Sequence, residues 1–144
     1  MLISSKGRYA LRLMIYIAAL GDAEGKIALR EVADREHISQ KYLEQLVRPL
    51  MKAGLLRSVR GKGGGYRMNK PAEQCTVGSI LRLTEGSLAP VACLDKKPVQ
   101  CARAGECRTL PMWQKLDTLI NEFFDGVTIA DLAHPIEPGN DFVI

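Results

Sequence analysis

The sequence predicts a mainly α-helical fold with one small β-hairpin, and three observations carry that prediction. Apolar residues recur at helical spacing in segment after segment, with Ser or Thr before the runs and Gly after them. Two short extended runs, "LLRSV" and "YRMN", flank "RGKGGGY", where four of seven residues are glycine, the mark of a hairpin. The composition, 47% apolar and 25% charged over 144 residues, is globular; it suits one domain with a real core and is too apolar for a disordered chain.

The elements follow in order. Ser4 or Ser5 caps a first helix that runs to about Leu20, where "GDAEGK" punctuates. "IALREVADREH" places Ile27, Leu29, Val32 and Ala33 on one face and reads as a short amphipathic helix. After the turn "HIS", Ser39 caps a longer helix, "QKYLEQLVRPLMKAG", with Tyr42/Leu43, Leu46/Val47 and Leu50/Met51 in its apolar stripe and Gly54 as its stop. Pro49 lies inside that pattern and predicts a kink or an irregular last turn. The hairpin comes next, then a short helix over residues 76–86 capped by Thr76. Residues 87–106 show no periodicity and read as a structureless loop. A long helix from Cys107 to Asp125 carries Met112/Trp113, Leu116, Leu119/Ile120 and Phe123/Phe124 along one side. Thr128 and Asp131 form a capping box for a last short helix, and a frayed tail is expected from His134.

Charge divides the chain. Residues 1–70 hold 14 Lys and Arg against 6 Asp and Glu, whereas residues 71–144 hold 6 against 10. A basic half suits a polyanion and leaves the acidic half another task, although charge alone also allows an uneven solvated surface. The stretch "LRLMIYIAAL" reads as part of the capped first helix in preference to a cleaved signal, because its uninterrupted apolar core, Leu13 to Leu20, is short. No run approaches the roughly 18 apolar residues of a membrane span, so the four cysteines are read in a reducing cytoplasm, where metal or redox chemistry outweighs disulfides.

The glycine stretch is not a nucleotide-phosphate loop. A Walker loop needs G-x-x-x-x-G-K-[ST], and the dinucleotide fingerprint needs a third glycine where Tyr66 stands and a helix where a strand follows. Short helix, turn, longer helix and glycine-tipped hairpin, flanked by Arg57, Arg60, Lys62, Arg67 and Lys70, instead match a winged helix-turn-helix. In that plan the second helix of the pair enters the major groove, glycines let the wing backbone approach phosphates, and Arg60 suits a narrow minor groove. A hairpin with merely solvated basic flanks is the competing interpretation.

"SSKGRYALRLM", "ISQKYLEQLVRPLMKAGLLRSVRGKGGGY" and "CTVGSILRLTEG" closely resemble the Rrf-two family of bacterial winged-helix regulators, above all its IscR-like branch, over nearly the whole chain. The resemblance implies a homodimeric transcription regulator, a repressor, that binds a near-palindromic double-stranded DNA operator. Its expected DNA-contacting set is Ser39, Gln40, Lys41, Tyr42, Glu44, Gln45 and Arg48 on the recognition helix and Arg60, Lys62, Gly63 and Gly64 on the wing. Lys41 departs from the small residue common at its position, so the base preference does not transfer. Glu44 can accept from cytosine N4 but is repelled by phosphate, which makes it a specificity filter, and Gln45 can pair with adenine.

Cys93, Cys101 and Cys107 are spaced C-x7-C-x5-C. Structural zinc prefers tighter pairs, and spacing alone leaves an iron-sulfur cluster, buried thiols and redox-reactive thiols open. The resemblance implies an iron-sulfur cluster, 2Fe-2S or 4Fe-4S, on these three cysteines. It leaves the fourth ligand unknown: Leu110 stands where IscR-like members have a histidine, and Arg8 stands where other branches borrow a carboxylate from the partner's first helix. Glu85, Asp95 and Glu106 are candidate oxygen ligands; Cys75, expected beneath the fourth helix, and His37 and His134 rank behind them. The family also contains cluster-free members that sense cysteine or sulfur status or thiol oxidation, and its long C-terminal helix pairs across a two-fold axis.

The expected division is a winged helix-turn-helix DNA-binding domain at 1–86, a cysteine-bearing loop at 87–106, a dimerisation helix and short last helix at 107–133, and a flexible tail at 134–144. The expected function is cytoplasmic transcription regulation controlled by a cluster that senses iron-sulfur, redox or nitric oxide status. An enzyme is excluded, since no nucleophile-base or paired-carboxylate spacing is present and there are only two histidines. A protein-interaction module with an acidic partner is the alternative from outside the DNA-binding class.

Overall fold

The structure, a computed structural model, describes residues 1–135. Helix α1 spans Ser5–Glu24. The Ser4 hydroxyl accepts from the Gly7 N–H at its start, and the helix runs four residues beyond Leu20, stopping where Gly25 adopts φ +76 and returns its N–H to the Gly21 carbonyl. Helix α2 spans Leu29–Glu36 and ends on His37 in the left-handed region. Helix α3, Gln40–Lys52, is capped by the Ser39 side chain, which accepts from the Tyr42 N–H at 3.1 Å. It continues through Pro49, which leaves the Gln45 carbonyl without its usual donor, and Gly54 with φ +73 ends it.

Strands β1, Leu56–Val59, and β2, Gly65–Met68, pair antiparallel with Ser58 opposite Tyr66. Ile27 is not the helical residue that its spacing predicts. It forms a two-way backbone bridge with Tyr66, each N–H to the other's carbonyl at 2.8 Å, so the segment before α2 flanks the hairpin as a third, one-residue strand. Gly65 is obligatory beside it: a Cβ there would stand 2.5 Å from the Ile27 carbonyl oxygen.

Helix α4, Val77–Glu85, is capped by Thr76. The following segment contains two short 3-10 turns, Ala92–Leu94 and Ala104–Glu106, so it has more local order than its lack of periodicity suggests. Helix α5 spans Leu110–Gly126, starting three residues later than expected because Pro111, which fits only a first turn, marks its N-terminus. Helix α6 spans Ile129–Ala133 behind the expected Thr128/Asp131 capping box. The tail expected from His134 lies, from residue 136 onward, outside the described residues.

Leu13, Met14 and Ile17 of α1, Leu43, Leu46 and Leu50 of α3, and Ile80 and Ile129 share one core. Each such side chain contributes about 1.5–3 kcal/mol on burial. Cys75 is fully buried in this core. A smaller cluster of Val77, Leu81, Leu88 and Val127 receives Ile120 and Phe124, seating α5 on α4. The fold is thus mainly helical with one two-stranded antiparallel sheet, a helix pair followed by a wing.

Candidate nucleic-acid interface and cysteine loop

Helix α3 divides by its period. Leu43, Leu46, Val47 and Leu50 are buried, and Gln40, Lys41, Glu44, Gln45 and Arg48 are exposed together on the opposite side. Ser39 is exposed but its hydroxyl is committed to the cap. Tyr42 is half-buried, its ring set edge-on against Tyr9 at 5.9 Å, so of the expected recognition residues it alone is part of the packing. Gln40 Nε2 donates to Glu44 Oε1 at 3.5 Å, aligning the two side chains one turn apart.

A groove opens between α3 and the wing. Gln40, Glu44 and Arg48 form one wall, and Ser58, Gly64 and Tyr66 the other. Arg60, Lys62, Gly63 and Gly64 are exposed at the wing tip, where Gly61 and Gly63 take φ +126 and +69. The tip is tied to the body by the Ile27–Tyr66 bridge and by Lys26, whose Nζ donates to the Lys62 carbonyl at 3.1 Å. The sequence reasoning missed both ties; the available signal was "GKI", a helix-stopping glycine followed by a β-branched residue. Helices α1 and α2 are held together by Arg12, which donates to the Glu36 carboxylate and carbonyl at 2.7 Å each, and by the Tyr16 hydroxyl, which donates to Glu31 at 2.9 Å. Burial first, and Glu31 second, push the Tyr16 hydroxyl above its ordinary value.

Cys93 is half-buried, Cys101 exposed and Cys107 half-buried, and all are free thiols. The Cys107 thiol lies 3.4 Å from the Thr109 hydroxyl; that hydrogen bond holds it below its ordinary value, with Arg103 adding to the effect. Burial pushes the Cys75 thiol up. The expected oxygen ligands are placed differently. Glu85 caps α1 from across the molecule, accepting from the Ser4 hydroxyl at 2.7 Å and the Gly7 N–H at 3.1 Å. Asp95 accepts from Ser87 at 2.7 Å, and Glu106 is exposed in its 3-10 turn. His37 closes α2 and His134 follows α6, both exposed.

The family model described as "Iron-dependent Transcriptional regulator", Rrf2, matches residues 3–135. The chain belongs to the Rrf2 family. This Rrf2 chain is 38% identical over 132 residues to the HTH-type transcriptional regulator IscR of Aliivibrio salmonicida, covering 92% of this chain and 77% of that one. Among solved structures it is similar to CymR, the global cysteine regulator of B. subtilis, with 38% identity, a TM-score of 0.75, and 92% and 96% of the two chains covered. It is also similar to IscR of T. potens, with 35% identity, a TM-score of 0.71, and 92% and 85% covered. The Rrf2 chain therefore has transcriptional regulators, not enzymes, as its relatives, and its fold is that of winged-helix regulators.

The cluster that the family resemblance implies meets a split result in this Rrf2 chain. Three thiols in one segment are the right donor chemistry for iron. Their positions do not complete a site: among the described residues no three His, Cys, Asp or Glu side chains gather where they would hold a metal ion.

Proposed function

We propose that the chain is a cytoplasmic, homodimeric transcription repressor that reads a double-stranded DNA operator with α3 and the wing. One observation carries this: the exposed face of α3 and the cationic wing tip flank a single groove, with Gln40, Glu44 and Arg48 on its helical wall. Lys41 and Arg48 on the helix and Arg60 and Lys62 on the wing supply phosphate and guanine contacts, Gln45 suits adenine, and Glu44 filters for cytosine. Ser39, Gln40, Gly63 and Gly64 approach the backbone, and Tyr42 braces the helix through Tyr9. In this division residues 1–86 are the reading head, 87–106 the sensing loop and 107–133 the pairing element.

Duplex DNA selected by the protein from a random pool tests the proposal. Affinity is expected to fall steeply with salt, and Arg60→Ala to weaken binding while circular dichroism stays unchanged. Salt-independent binding, or an Arg60→Ala variant that binds normally, overturns the wing assignment.

Cys93, Cys101 and Cys107 are the sensor in this proposal. They would hold an iron-sulfur cluster once the loop draws them together, with a fourth ligand from elsewhere. When bound, such a cluster supplies a redox- and nitric-oxide-reactive centre. Anaerobic reconstitution followed by absorption and Mössbauer spectra, repeated with each cysteine changed to alanine, tests the ligand set; colourless, iron-free protein removes it. The likeness to CymR and the accessible Cys107 thiol favour a second reading, in which the same loop senses thiol oxidation or sulfur status without metal.

A further inference from the structure

We propose that Lys26 is a component of the DNA-contacting wing, a third phosphate-binding cation that also positions the tip; this rests on the DNA-binding function proposed above. Lys26 lies 36 residues from Lys62 in sequence, yet its ammonium donates to the Lys62 carbonyl at 3.1 Å. The adjoining residue, Ile27, is locked to Tyr66 by two backbone hydrogen bonds, so Lys26 is held at the edge of the wing by the chain on its own side.

The chemistry of that contact leaves Lys26 available. An ammonium has three donors, and the bond to Lys62 uses one in an exposed setting. A carbonyl acceptor orients the charge without neutralising it. The ion pairs among the described residues are Arg12–Glu36 and Arg82–Asp125, so no described carboxylate balances Lys26, Arg60 or Lys62. Three cations at one tip with no ion-pair partner among the described residues repel each other in the free protein, and a phosphate backbone relieves that repulsion.

The tether has a second effect. The tip carries Gly61 and Gly63 at positive φ, and open space surrounds the place where a Cβ would stand on either. A loop of that kind loses conformational freedom when it settles on DNA. Lys26, by fixing the Lys62 carbonyl, removes part of that loss beforehand.

Three variants separate charge from tether, each measured for the salt dependence of binding to duplex selected by the wild-type protein and for amide exchange at Gly61–Gly64 in the free protein. Lys26→Met is expected to weaken binding about threefold to tenfold, to lower the slope of log affinity against log salt by about one, and to speed exchange at the tip. Lys26→Gln retains a donor, so it should lose the slope but keep slow exchange. Lys26→Arg should restore the slope. A merely structural lysine would leave the salt slope alone. If Lys26→Met keeps the wild-type slope while Arg60→Ala lowers it, Lys26 is not part of the interface and the wing assignment stands. If neither variant changes the slope, the wing assignment fails together with the role of Lys26.

Discussion

Arg82 of α4 and Asp125 of α5 meet fork to fork, Nη1 to Oδ1 at 2.7 Å and Nη2 to Oδ2 at 2.8 Å, and the same guanidinium reaches Asn121 Oδ1 at 2.6 Å. Gly78 lies directly beneath Asp125 with no room for a Cβ. This is the polar fastening between the head and the long helix, beside the apolar one made by Ile120 and Phe124.

The fastening predicts a pH signature. The Arg82 hydrogen bonds hold the Asp125 carboxyl below its ordinary value, against the opposing effect of burial. A depressed carboxyl stabilises the fold above its unfolded pKa of about 3.9, and that stability is lost as pH falls through the lower folded value. Both side chains are more than a third exposed, which limits the contribution to about 0.5–1 kcal/mol. Asp125→Asn is expected to lower the thermal midpoint by about 1–4 °C at pH 7. That deficit should shrink towards zero in acid, where the native aspartate is protonated as well. A deficit independent of pH would mean that the pair is not the source.

Gly65 governs the wing through space, not through backbone torsion. A methyl group at this position meets the Ile27 carbonyl, which is backbone and cannot rotate away. Gly65→Ala is therefore expected to cost about 1–3 kcal/mol and to open the Ile27–Tyr66 bridge. Faster hydrogen exchange at the Ile27 and Tyr66 amides, together with a lower melting midpoint, is the expected result. Unchanged exchange at those two amides would show that the bridge does not depend on this glycine.

Local signals were enough for most of the fold. The Ser39 cap, the Gly54 stop, the glycine-tipped hairpin and the Thr128–Asp131 box each depend on residues a few positions apart, and each forms as expected. What sequence reasoning missed depends on distant partners. Ile27 has helical spacing to Leu29 and Val32, but Tyr66 claims its backbone. Periodicity placed one stripe on α5 without saying what each part meets; Ile120 and Phe124 turn to α4, and Phe123 does not. Glu85 looked like a free carboxylate until the end of α1 came to rest on it. On the candidate interface, the exposed face of α3 was legible from its period. The tie between Lys26 and Lys62 was not, because chain folding brings those two residues together.

The cysteines should differ in reactivity. The Thr109 hydrogen bond favours the Cys107 thiolate, whereas burial in the core disfavours the Cys75 thiolate and blocks access to it. In metal-free native protein, iodoacetamide is expected to label Cys107 at least about tenfold faster than Cys75, read by mass spectrometry of the peptides. Thr109→Val should slow labelling at Cys107 near neutral pH, as the thiol returns towards its ordinary value and less thiolate is present. Equal rates for Cys75 and Cys107 in folded protein would contradict both assignments.

The outward stripe of α5 leads to the last prediction. Met112, Leu116, Leu119 and Phe123 lie along one side of the helix, and Met112, Leu119 and Phe123 are at least half exposed. None of them belongs to the described core, and Phe123 touches it only through the edge-on Phe124 ring at 5.5 Å, so a charge placed there should leave the protomer folded. In the proposed dimer the same side chains are buried against a second copy, and a carboxylate among them would be desolvated without a partner. Phe123→Glu is therefore expected to give a monomer by sedimentation velocity with wild-type helicity. Binding to a palindromic duplex should weaken by about a hundredfold or more, because the second head no longer benefits from tethering to the first. Lys26 and Arg60 remain on each separated head, so the salt slope per bound chain should persist. If the variant sediments as a dimer, α5 does not form the pairing surface, and the stripe must meet something other than a second copy of this chain.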